Sequence, residues 1–519
     1  MEGREQALAP RSGAVLRAGL GAGIVAAAIG AVFAWLGVVN GDEGWYALGA
    51  RFVSQGRLPY RDFAFTQGPA YLYVLAPFVR LLPDVYTARA VSVVCTAVSI
   101  GLLIAAARRI GGKWTALVSC AALLATVPSL PYWLSITKTY SLACLFLSAV
   151  FFTLTSNTSP GVRYPVAAAL AVGFAETRST GFALAVVLVL ALLVLSPDER
   201  TRVRVVLASA AAIFPVVVLV LLEWSRSSWG LLAYHHLGSH GSAGIGRYWS
   251  RSYAMAHSWP GPFLLGALAL VAVLVNADIR ATLRRRLDLV ALVVGVVLFV
   301  FLHETAAQFF SEEYFAPVAA PVIVMSTIVL MRAASRVPRP TSGVFARLAS
   351  GALAVGIVIS AITGGHQYYL GAPGWGGSPA GLNEVVRCVQ EFSKPHDTVF
   401  ALSLEEVVLQ AHRRPVPNVT LGPFSYEDVS TQRARQLKII NDVELATTFK
   451  NRPPRVAVLT VDDIFETHRA GYFSKKKVEN NAWYFLFQRY KPVCKATLIR
   501  HVFKNVKESV TVYALPPDK

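Results

Sequence analysis

Residues 40–73 read NGDEGWYALGARFVSQGRLPYRDFAFTQGPAYLY, and they follow directly on the first long apolar segment of the chain. The stretch mixes acidic, aromatic and basic residues, and it places Asp42 and Glu43 at the surface of a membrane. Unpaired carboxylates are costly there, so they are retained mainly where they have a function. The stretch therefore predicts a reaction site at the boundary of a membrane-embedded chain.

The composition predicts a polytopic α-helical membrane protein. Hydrophobic residues make up 54% of the 519 residues and charged residues only 15%, which excludes a single water-soluble globule. A membrane span needs about 20 mostly apolar residues, or about 17 at the short end. Eleven segments are candidate transmembrane helices: 17–39, 84–107, 113–128, 139–156, 164–175, 180–196, 205–223, 260–276, 288–302, 314–331 and 344–364.

The segments 164–175 and 180–196 allow two interpretations. The first of them is short, and the sequence Glu176-Thr177-Arg178-Ser179 interrupts what would otherwise be one apolar run. A re-entrant hairpin is therefore the alternative to two separate spans.

The distribution of basic residues predicts the topology, because lysine and arginine beside membrane spans stay on the cytoplasmic side. With residues 1–16 in the cytoplasm, the inner segments before residue 366 hold eighteen basic residues and the outer segments hold ten. An odd number of spans then places residues 366–519 outside the cell membrane, with the 40–73 stretch. The net charge of +19 is thus largely arginine facing anionic lipid headgroups, and no nucleic-acid partner is predicted.

The chain changes character near residue 365, where a linker rich in glycine and proline begins. Hydrophobic runs are short beyond it. Their spacing predicts helices at 381–393, 405–412 and 428–449, and strands at 397–403, 454–461, 483–489 and 509–515. The sequence therefore predicts two domains: a transmembrane catalytic bundle over residues 1–365, with a first outer loop at 40–83, and a small extracytoplasmic α/β domain over 366–519.

Two of the five cysteines, Cys388 and Cys494, fall in this predicted outer domain. They would pair if the compartment is oxidising. Nothing in the sequence brings them within bridging distance, so two separate thiols are the expectation.

A helix is predicted to begin after Asp42. Trp45, Leu48 and Phe52 share one helical face, which would lie on the bilayer surface and end at Gly56, before an extended restart at 58–60. Asp42 would then be at or near the N-cap, where backbone N–H groups and the helix dipole favour an ionised carboxylate. Such a carboxylate can act as a base, or Asp42 and Glu43 can simply be a cap and a first-turn acid.

The pattern resembles a known superfamily. The run Asp42-Glu43-x-x-Tyr46, followed by Leu58-Pro59-Tyr60-x-Asp62 and Gly68-Pro69, is similar to the first outer loop of the GT-C glycosyltransferases. The resemblance is to the branch of the dolichyl-phosphate-mannose protein mannosyltransferases and the bacterial aminoarabinose lipid A transferase. It extends to Arg89 in the second span and to Tyr314-x-x-Pro317 before a late span.

The resemblance implies an inverting membrane glycosyltransferase. Such an enzyme moves a sugar from a polyprenyl-phosphate donor to a glycan, lipid or protein acceptor on the outer face. Asp42 matches the catalytic base of the family and Glu43 its acidic neighbour, so both are expected to be catalytic. Tyr46, Tyr60 and Asp62 of the same motif, and Tyr314 before the late span, are expected to bind substrate.

The chemistry calls for cations as well as a base. An acceptor hydroxyl must lose its proton as the new bond forms, and the departing lipid phosphate gains charge at the same time. The basic candidates on the outer face are Arg61, Arg89, Lys138 and Arg178. Arg178 is the first choice because an arginine at that depth is otherwise expensive; the alternative for it is an ion pair with Glu176.

One departure from the family pattern concerns the residues before Tyr314. Members of the superfamily often carry a basic residue there, whereas this chain has Glu312 and Glu313. These acids could hold a divalent cation, Mg²⁺ or Mn²⁺, that bridges to the lipid phosphate. No other cofactor is predicted.

A different class of protein would share the same composition. A multi-pass transporter or flippase of a lipid-linked or sugar substrate also has about eleven spans, but it should show paired halves with broken helices at matching positions. Only one break, at 176–179, is visible in the sequence. The sugar, the acceptor and the lipid length cannot be read from the sequence.

Overall fold

The computed structural model describes residues 12–126, 130–222, 256, 258–306, 312–335, 376–377, 379–427, 429–460, 463, 482–501 and 506–516. Helices form most of the described residues up to 335. They are α1 (Ser12–Leu36), α2 (Gly41–Ser54), α3 (Ala70–Leu81), α4 (Val85–Thr126), α5 (Leu130–Ser135), α6 (Tyr140–Leu154), α7 (Pro160–Thr177), α8 (Phe182–Val194), α9 (Glu199–Leu222), α10 (Pro260–Val275), α11 (Ala277–Arg284), α12 (Leu287–Ala306) and α13 (Ala316–Ala334).

Helices cover each predicted apolar segment from 17–39 to 314–331, while the segment 344–364 lies outside the described residues. Within the described ranges, three helices are long and apolar enough to cross a membrane: Ser12–Leu36, Val85–Leu124 and Glu313–Ala334. A fourth span results if α10 and α11, which meet at 96°, count as one. The predicted number of eleven spans is therefore not confirmed.

Two breaks in the helices occur where the sequence placed them. Gly112, between the predicted segments 84–107 and 113–128, has a φ of 80° that glycine adopts readily, and it interrupts α4. Arg178 has an extended backbone between α7 and the short 3₁₀ turn Ser179–Gly181 that leads into α8. The second break puts a basic side chain at the end of the helix bundle.

Close packing of small residues holds part of the bundle together. A Cβ atom on Gly19 of α1 would lie 2.7 Å from the carbonyl oxygen of Gly101 in α4. Glycine at such a crossing lets two backbones approach, which is a common device between helices in lipid.

The first outer loop differs from the expectation in how its helix starts and what it covers. Helix α2 begins at Gly41 rather than after Asp42, with Asn40 as its N-cap, so Asp42 lies near the cap, as predicted, in the first turn. Trp45, Leu48 and Phe52 are buried in a core shared with the C-terminal domain. The expected bilayer-facing stripe is therefore a protein interface, because another element already covers that face.

The end of α2 follows the prediction only in part. Gly56 has a φ of 81° just after the helix, as expected for a terminating glycine. Tyr60 has a φ of 67°, so the predicted extended restart is wrong at this residue. Its backbone N–H donates to the carbonyl of Phe63 at 2.9 Å, which closes a turn instead.

The C-terminal part is an α/β domain, as predicted. Its helices are α14 (Pro379–Phe392), α15 (Glu405–Gln410), α16 (Thr431–Leu437), α17 (Asp442–Asn451) and α18 (Ala482–Arg489). A short ladder pairs strand β1 (Val39–Asn40) with β2 (Gly376–Gly377). The domain's sheet is built from β3 (Thr398–Ala401), β4 (Arg414–Pro415), β5 (Val456–Thr460), β6 (Lys491–His501) and β7 (Val506–Ala514), in the order β4-β3-β5-β7-β6.

The predicted helices at 381–393 and 405–412 and strands at 397–403, 454–461 and 509–515 are confirmed. Two other predictions are wrong. The helix expected over 428–449 is divided by Lys438, which has a left-handed backbone, and Asn441 caps the second piece. Residues 483–489 form α18 rather than a strand, because Trp483 and Leu486 are buried at helical spacing.

Cys388 and Cys494 form a disulfide across a Cα–Cα distance of 6.5 Å, so the expectation of two separate thiols is wrong. Helix α14 packs on β6, and this contact brings together two residues 106 positions apart. The spacing of the two cysteines in the sequence does not predict this tertiary contact.

Helix α2 joins the two parts of the molecule. Helix α15 packs against it so closely that a Cβ atom on Gly44 would overlap the backbone nitrogen of Glu406. One hydrophobic core runs from α2 and α3 into the sheet. The α/β domain therefore lies directly on the helix that carries Asp42 and Glu43.

Candidate active site

The start of α2 is fixed by a capping box. The backbone N–H of Asp42 donates to Asn40 Oδ1 at 3.1 Å, and the backbone N–H of Asn40 donates to Glu43 Oε1 at 2.8 Å. This reciprocal arrangement satisfies backbone donors that the first helical turn leaves without partners. It also sets the direction in which the Asp42 side chain leaves the helix.

Glu43 and Arg89 form a fully buried ion pair. Arg89 donates from Nε to Glu43 Oε2 at 2.7 Å and from Nη2 to Oε1 at 2.6 Å, and both side chains are inaccessible to solvent. Glu43 Oε2 also accepts the backbone N–H of Thr137 at 2.8 Å. The remaining donors of Arg89 reach the carbonyl oxygens at the end of α1, those of Ala34, Gly37 and Val38.

Asp42 points away from that pair and meets Lys138. The Nζ atom of Lys138 lies 2.7 Å from Asp42 Oδ2 and 2.7 Å from Glu313 Oε1. The hydroxyl of Tyr140 donates to the same oxygen of Glu313 at 2.7 Å. The Lys138 side chain is 3% exposed and that of Asp42 is 27% exposed, so the carboxylate is open to an incoming group while its partner is enclosed.

Arg178 lies in an aromatic setting beside these residues. Its Nη1 donates to the Thr139 hydroxyl at 3.0 Å, and its guanidinium carbon is 4.9 Å from the ring centre of Tyr140 and 5.1 Å from that of Tyr314. Glu176, the partner considered from sequence, has a buried Oε1 atom without a hydrogen-bond partner. Tyr46 lies close enough to Arg178, Asp42 and Lys138 to interact with their charges. Four of the predicted site residues therefore lie together.

The Tyr60–Asp62 turn lies outside this cluster. The carboxylate of Asp62 accepts two hydrogen bonds from Arg61 at 2.9 Å, which lower its pKa, and it accepts the backbone N–H of Leu58 at 2.8 Å. The hydroxyl of buried Tyr60 donates to the carbonyl of Gln67 at 2.5 Å. These contacts close the loop, and Arg61 remains about half exposed.

An apolar cavity of about 510 Å³ is lined by Glu176 and Ser179, which flank Thr177 and Arg178 in the chain. Helices α7, α8 and α9 line it together with Tyr60 and the Gly68–Pro69 segment. A Cβ atom on Gly68 would overlap the carbonyl oxygen of Glu176, so glycine is needed for the loop to close this wall. The volume is in the range of small-molecule sites, about 300–1,000 Å³.

Two buried carboxyl groups of the α/β domain lie above α2. Burial raises the pKa of Glu405 and of Glu406 well above the usual range. The Glu405 carboxylate accepts the backbone N–H of Gly422, while both oxygens of Glu406 are buried without a hydrogen-bond partner. Sequence analysis did not identify these residues. Two adjacent acids inside the apolar run 399–409 were the signal that could have done so.

The described residues contain no group of three or more histidine, cysteine or acidic side chains that could hold a metal ion. Glu313 lies on the 3₁₀ turn Glu312–Phe315 and is bound to Lys138, while the side chain of Glu312 lies outside the described residues. The divalent cation remains a prediction.

Solved structures were compared with this fold. The TM-score is 0.61 with ArnT from Cupriavidus metallidurans bound to undecaprenyl phosphate, at 13% identity over 94% of this chain and 96% of ArnT. It is 0.60 at 15% identity and the same coverage with the apo state of ArnT. The chain has the GT-C fold.

The GT-C fold is shared by a third structure, the archaeal oligosaccharyltransferase AglB from Archaeoglobus fulgidus in complex with an inhibitory peptide and a dolichol-phosphate. Its TM-score is 0.50 at 11% identity, over 91% of this chain and 72% of AglB. No protein family model and no curated protein matches the sequence. The predicted likeness to the GT-C superfamily is thus confirmed at the level of the fold.

Proposed function

We propose that this protein is an integral membrane glycosyltransferase that takes its sugar from a polyprenyl-phosphate donor. The observation that carries the proposal is the cluster of Asp42, Lys138 and Arg178 around shared tyrosines. It combines a partly exposed carboxylate with two buried cations. A base and a pair of cations are what sugar transfer from a lipid phosphate needs.

The donor would enter through the apolar cavity, whose wall includes Glu176 and Ser179 on either side of the break at Arg178. A polyprenyl chain fits its apolar wall, and the phosphate would then meet the guanidinium of Arg178 and the ammonium of Lys138. The two GT-C proteins named above are described with undecaprenyl phosphate and with a dolichol-phosphate. Those ligands support, for this chain, a donor of the same chemical class.

Transfer would proceed in one displacement. The acceptor hydroxyl oxygen bonds to C1 of the sugar while the bond from C1 to the phosphate oxygen breaks, and its electron pair leaves with the polyprenyl phosphate. The hydroxyl proton passes to the exposed carboxylate of Asp42. Attack from the face opposite the leaving phosphate inverts the anomeric carbon. Arg178 and Lys138 stabilise the charge that the phosphate gains.

The role of Glu43 would differ from the catalytic role that the resemblance implied. Its carboxylate is enclosed and accepts donors from Arg89, Thr137 and Asn40. A carboxylate in that position holds the N-terminus of α2 against α1 and α4, so we assign Glu43 and Arg89 as positioning residues for Asp42.

The proposed orientation follows the basic residues of the sequence, with the N-terminus in the cytoplasm and the α/β domain outside. The acceptor, a glycan, lipid or protein, would then be an envelope component on the outer face.

The test uses the purified full-length protein in lipid nanodiscs with a panel of polyprenyl-phosphate-linked pentoses and hexoses and with both neutral and acidic oligosaccharide acceptors. Release of polyprenyl phosphate is measured, because it is the product common to every sugar. We expect the parent to release it from at least one donor and the Asp42→Asn variant to release almost none. Movement of labelled lipid across vesicles, with no release from any donor, would identify a flippase instead.

A further inference from the structure

A second cavity lies between α2 and the α/β domain. It has a volume of about 690 Å³. On one side it is lined by residues 48–57 of α2 and the turn after it, and on the other by residues 395–396 and 412–420. We call it the basic groove.

The basic groove carries positive charge on both walls. Its lining includes four arginines and two histidines: Arg51, Arg57, Arg413, Arg414, His396 and His412. None of the described residues that line it is acidic. Burial lowers the pKa of Arg51, and the nearby charge of Arg414 lowers it further. Four guanidinium groups assembled in this way favour an anion.

The arginines differ in how far the protein itself uses their donors. Arg413 is buried and donates to the Ser393 hydroxyl at 2.8 Å and to the Ser393 carbonyl at 2.7 Å. Arg57 lies 4.1 Å over the ring of Phe52 and donates to the carbonyl of Asp62. These two are fixed in place by the fold.

Arg51 and Arg414 make much weaker contacts. Arg51 has one long hydrogen bond, 3.4 Å from Nη1 to the carbonyl of Arg413, and Arg414 lies 3.4 Å from His396 Nδ1. Each guanidinium has five donors. Both can therefore turn toward an anionic ligand from opposite walls of the groove.

A buried hydroxyl gives independent support for a ligand. Thr420 is 3% exposed and lines the groove, and its Oγ1 atom has no hydrogen-bond partner. Buried polar atoms are nearly always paired in native proteins, so an orphaned one needs an explanation. A ligand oxygen in the groove would provide the missing partner.

The basic groove is separate from the proposed catalytic cluster. Arg51 is nine residues after Asp42 on the same helix, which corresponds to about 14 Å along the helix axis. The groove-lining residues Leu48, Arg51, Phe52 and Gln55 share one face of α2. A molecule large enough to reach both places must extend along the helix.

We propose that the basic groove binds an anionic group, a phosphate or carboxylate, of the sugar acceptor. That the ligand is the sugar acceptor rests on the proposed function, whereas the binding of an anionic group in the groove does not. Arg51 and Arg414 would grip the group from two sides, with Thr420 adding a hydrogen bond. This contact would select acidic acceptors and hold their reactive hydroxyl toward Asp42.

Binding can be tested without any turnover. Titration calorimetry on the nanodisc protein would compare a phosphorylated, a uronate and a neutral oligosaccharide. We expect an acidic oligosaccharide to bind and the neutral one not to bind. The double variant Arg51→Gln, Arg414→Gln should weaken binding of the acidic ligand by about tenfold or more, because both positions lose charge-assisted hydrogen bonds to the anion.

The matched control is the double variant Arg387→Gln, Arg452→Gln, which removes the same charge from exposed positions of the α/β domain outside the groove. An equal loss of binding in this control would show that the effect arises from the net charge of the protein, and it would overturn the proposal. Equal binding of the neutral oligosaccharide would overturn it as well.

Vesicles of anionic phospholipid and inorganic phosphate serve as further probes. If only the vesicles respond to the groove variants, the groove takes a lipid headgroup and the proposal fails. If a transferase activity is found, the groove variants should raise the KM for an acidic acceptor and leave donor consumption with a neutral acceptor unchanged. Binding of the acidic oligosaccharide without any sugar transfer would contradict the proposed function but not the anion site in the groove.

Discussion

The ammonium of Lys138 lies 2.7 Å from Asp42 Oδ2 and belongs to a residue that is almost wholly enclosed. Glu313 holds the same ammonium from the other side at 2.7 Å. Asp42 therefore has one oxygen fixed on a positive charge, while part of the carboxylate stays accessible. This geometry holds the proposed base in one orientation without burying it.

The first prediction concerns Asp42. Replacing it by asparagine keeps the shape and the contact with Lys138 but removes the group that accepts the proton. Turnover should fall by about a hundredfold or more, while undecaprenyl phosphate binding persists. The control is Asp62→Asn, which alters an acid of the same loop outside the cluster. Near-normal turnover of the purified Asp42→Asn variant would show that Asp42 is not the base.

The second prediction concerns Arg178. The Arg178→Lys variant keeps the charge but loses the two parallel hydrogen bonds a guanidinium can give to a phosphate, so undecaprenyl phosphate should bind at least several-fold more weakly. Folded yield should be retained, and removing Glu176 as well should not restore binding. Arg163→Lys, about 22 Å away along α7, is the control. Unchanged lipid affinity in a well-folded Arg178→Ala protein would point to Lys138 or Arg61 instead.

The third prediction concerns the buried pair of Glu43 and Arg89. Glu43→Gln leaves the guanidinium of Arg89 buried without its countercharge, which should lower the free energy of unfolding by about 3–5 kcal/mol. Glu199→Gln removes the same group from an exposed pair with Arg202 and should cost less than about 1 kcal/mol. Thermal unfolding in detergent measures both. A stable but inactive Glu43→Gln protein would restore the direct catalytic role that the resemblance implied.

The fourth prediction concerns pH. Burial raises the pKa of both Glu405 and Glu406. The negative charges of Glu406 and Asp463 raise the pKa of Glu405 further. Those of Glu43 and Asp42 raise the pKa of Glu406, while the charge of Arg89 lowers it. A carboxyl group with a raised pKa in the folded state binds its proton more tightly there than in the unfolded chain. The stability it contributes is complete below about pH 4.5 and is lost as the pH rises through the folded pKa.

The melting temperature of the parent should therefore fall as the pH is raised from about 5 to 8, and Glu406→Gln should reduce that slope. The exposed acid Glu391 on α14 is the control, since Glu391→Gln should leave the slope unchanged. A parallel slope in Glu406→Gln and parent would show that the proton on Glu406 does not contribute.

The sequence predicted elements that depend on local pattern. Long apolar runs gave the helices of the bundle, and the polar interruption at 176–179 gave the break at Arg178. The eight residues of α18 were assigned wrongly, because a short apolar stretch fits the period of a strand as well as that of a helix.

Relationships between distant residues could not be predicted. Lys138 and Glu313 are 175 positions apart, and Cys388 and Cys494 are 106 apart, so only the packed fold brings each pair together. For the same reason the sequence predicts Lys138 only as one of four basic candidates on the outer face, whereas the structure buries it between two carboxylates.

The short ladder between Val39–Asn40 and Gly376–Gly377 has a mechanical consequence. Asn40 both pairs with the linker to the α/β domain and caps the helix that presents Asp42. Lifting the domain away to admit a bulky acceptor would therefore strain the backbone that orients the proposed base. Access from above and alignment of the proposed base are thus coupled through Asn40 as well as through the packing of α15 on α2, so opening the molecule would also disturb the carboxylate proposed to act.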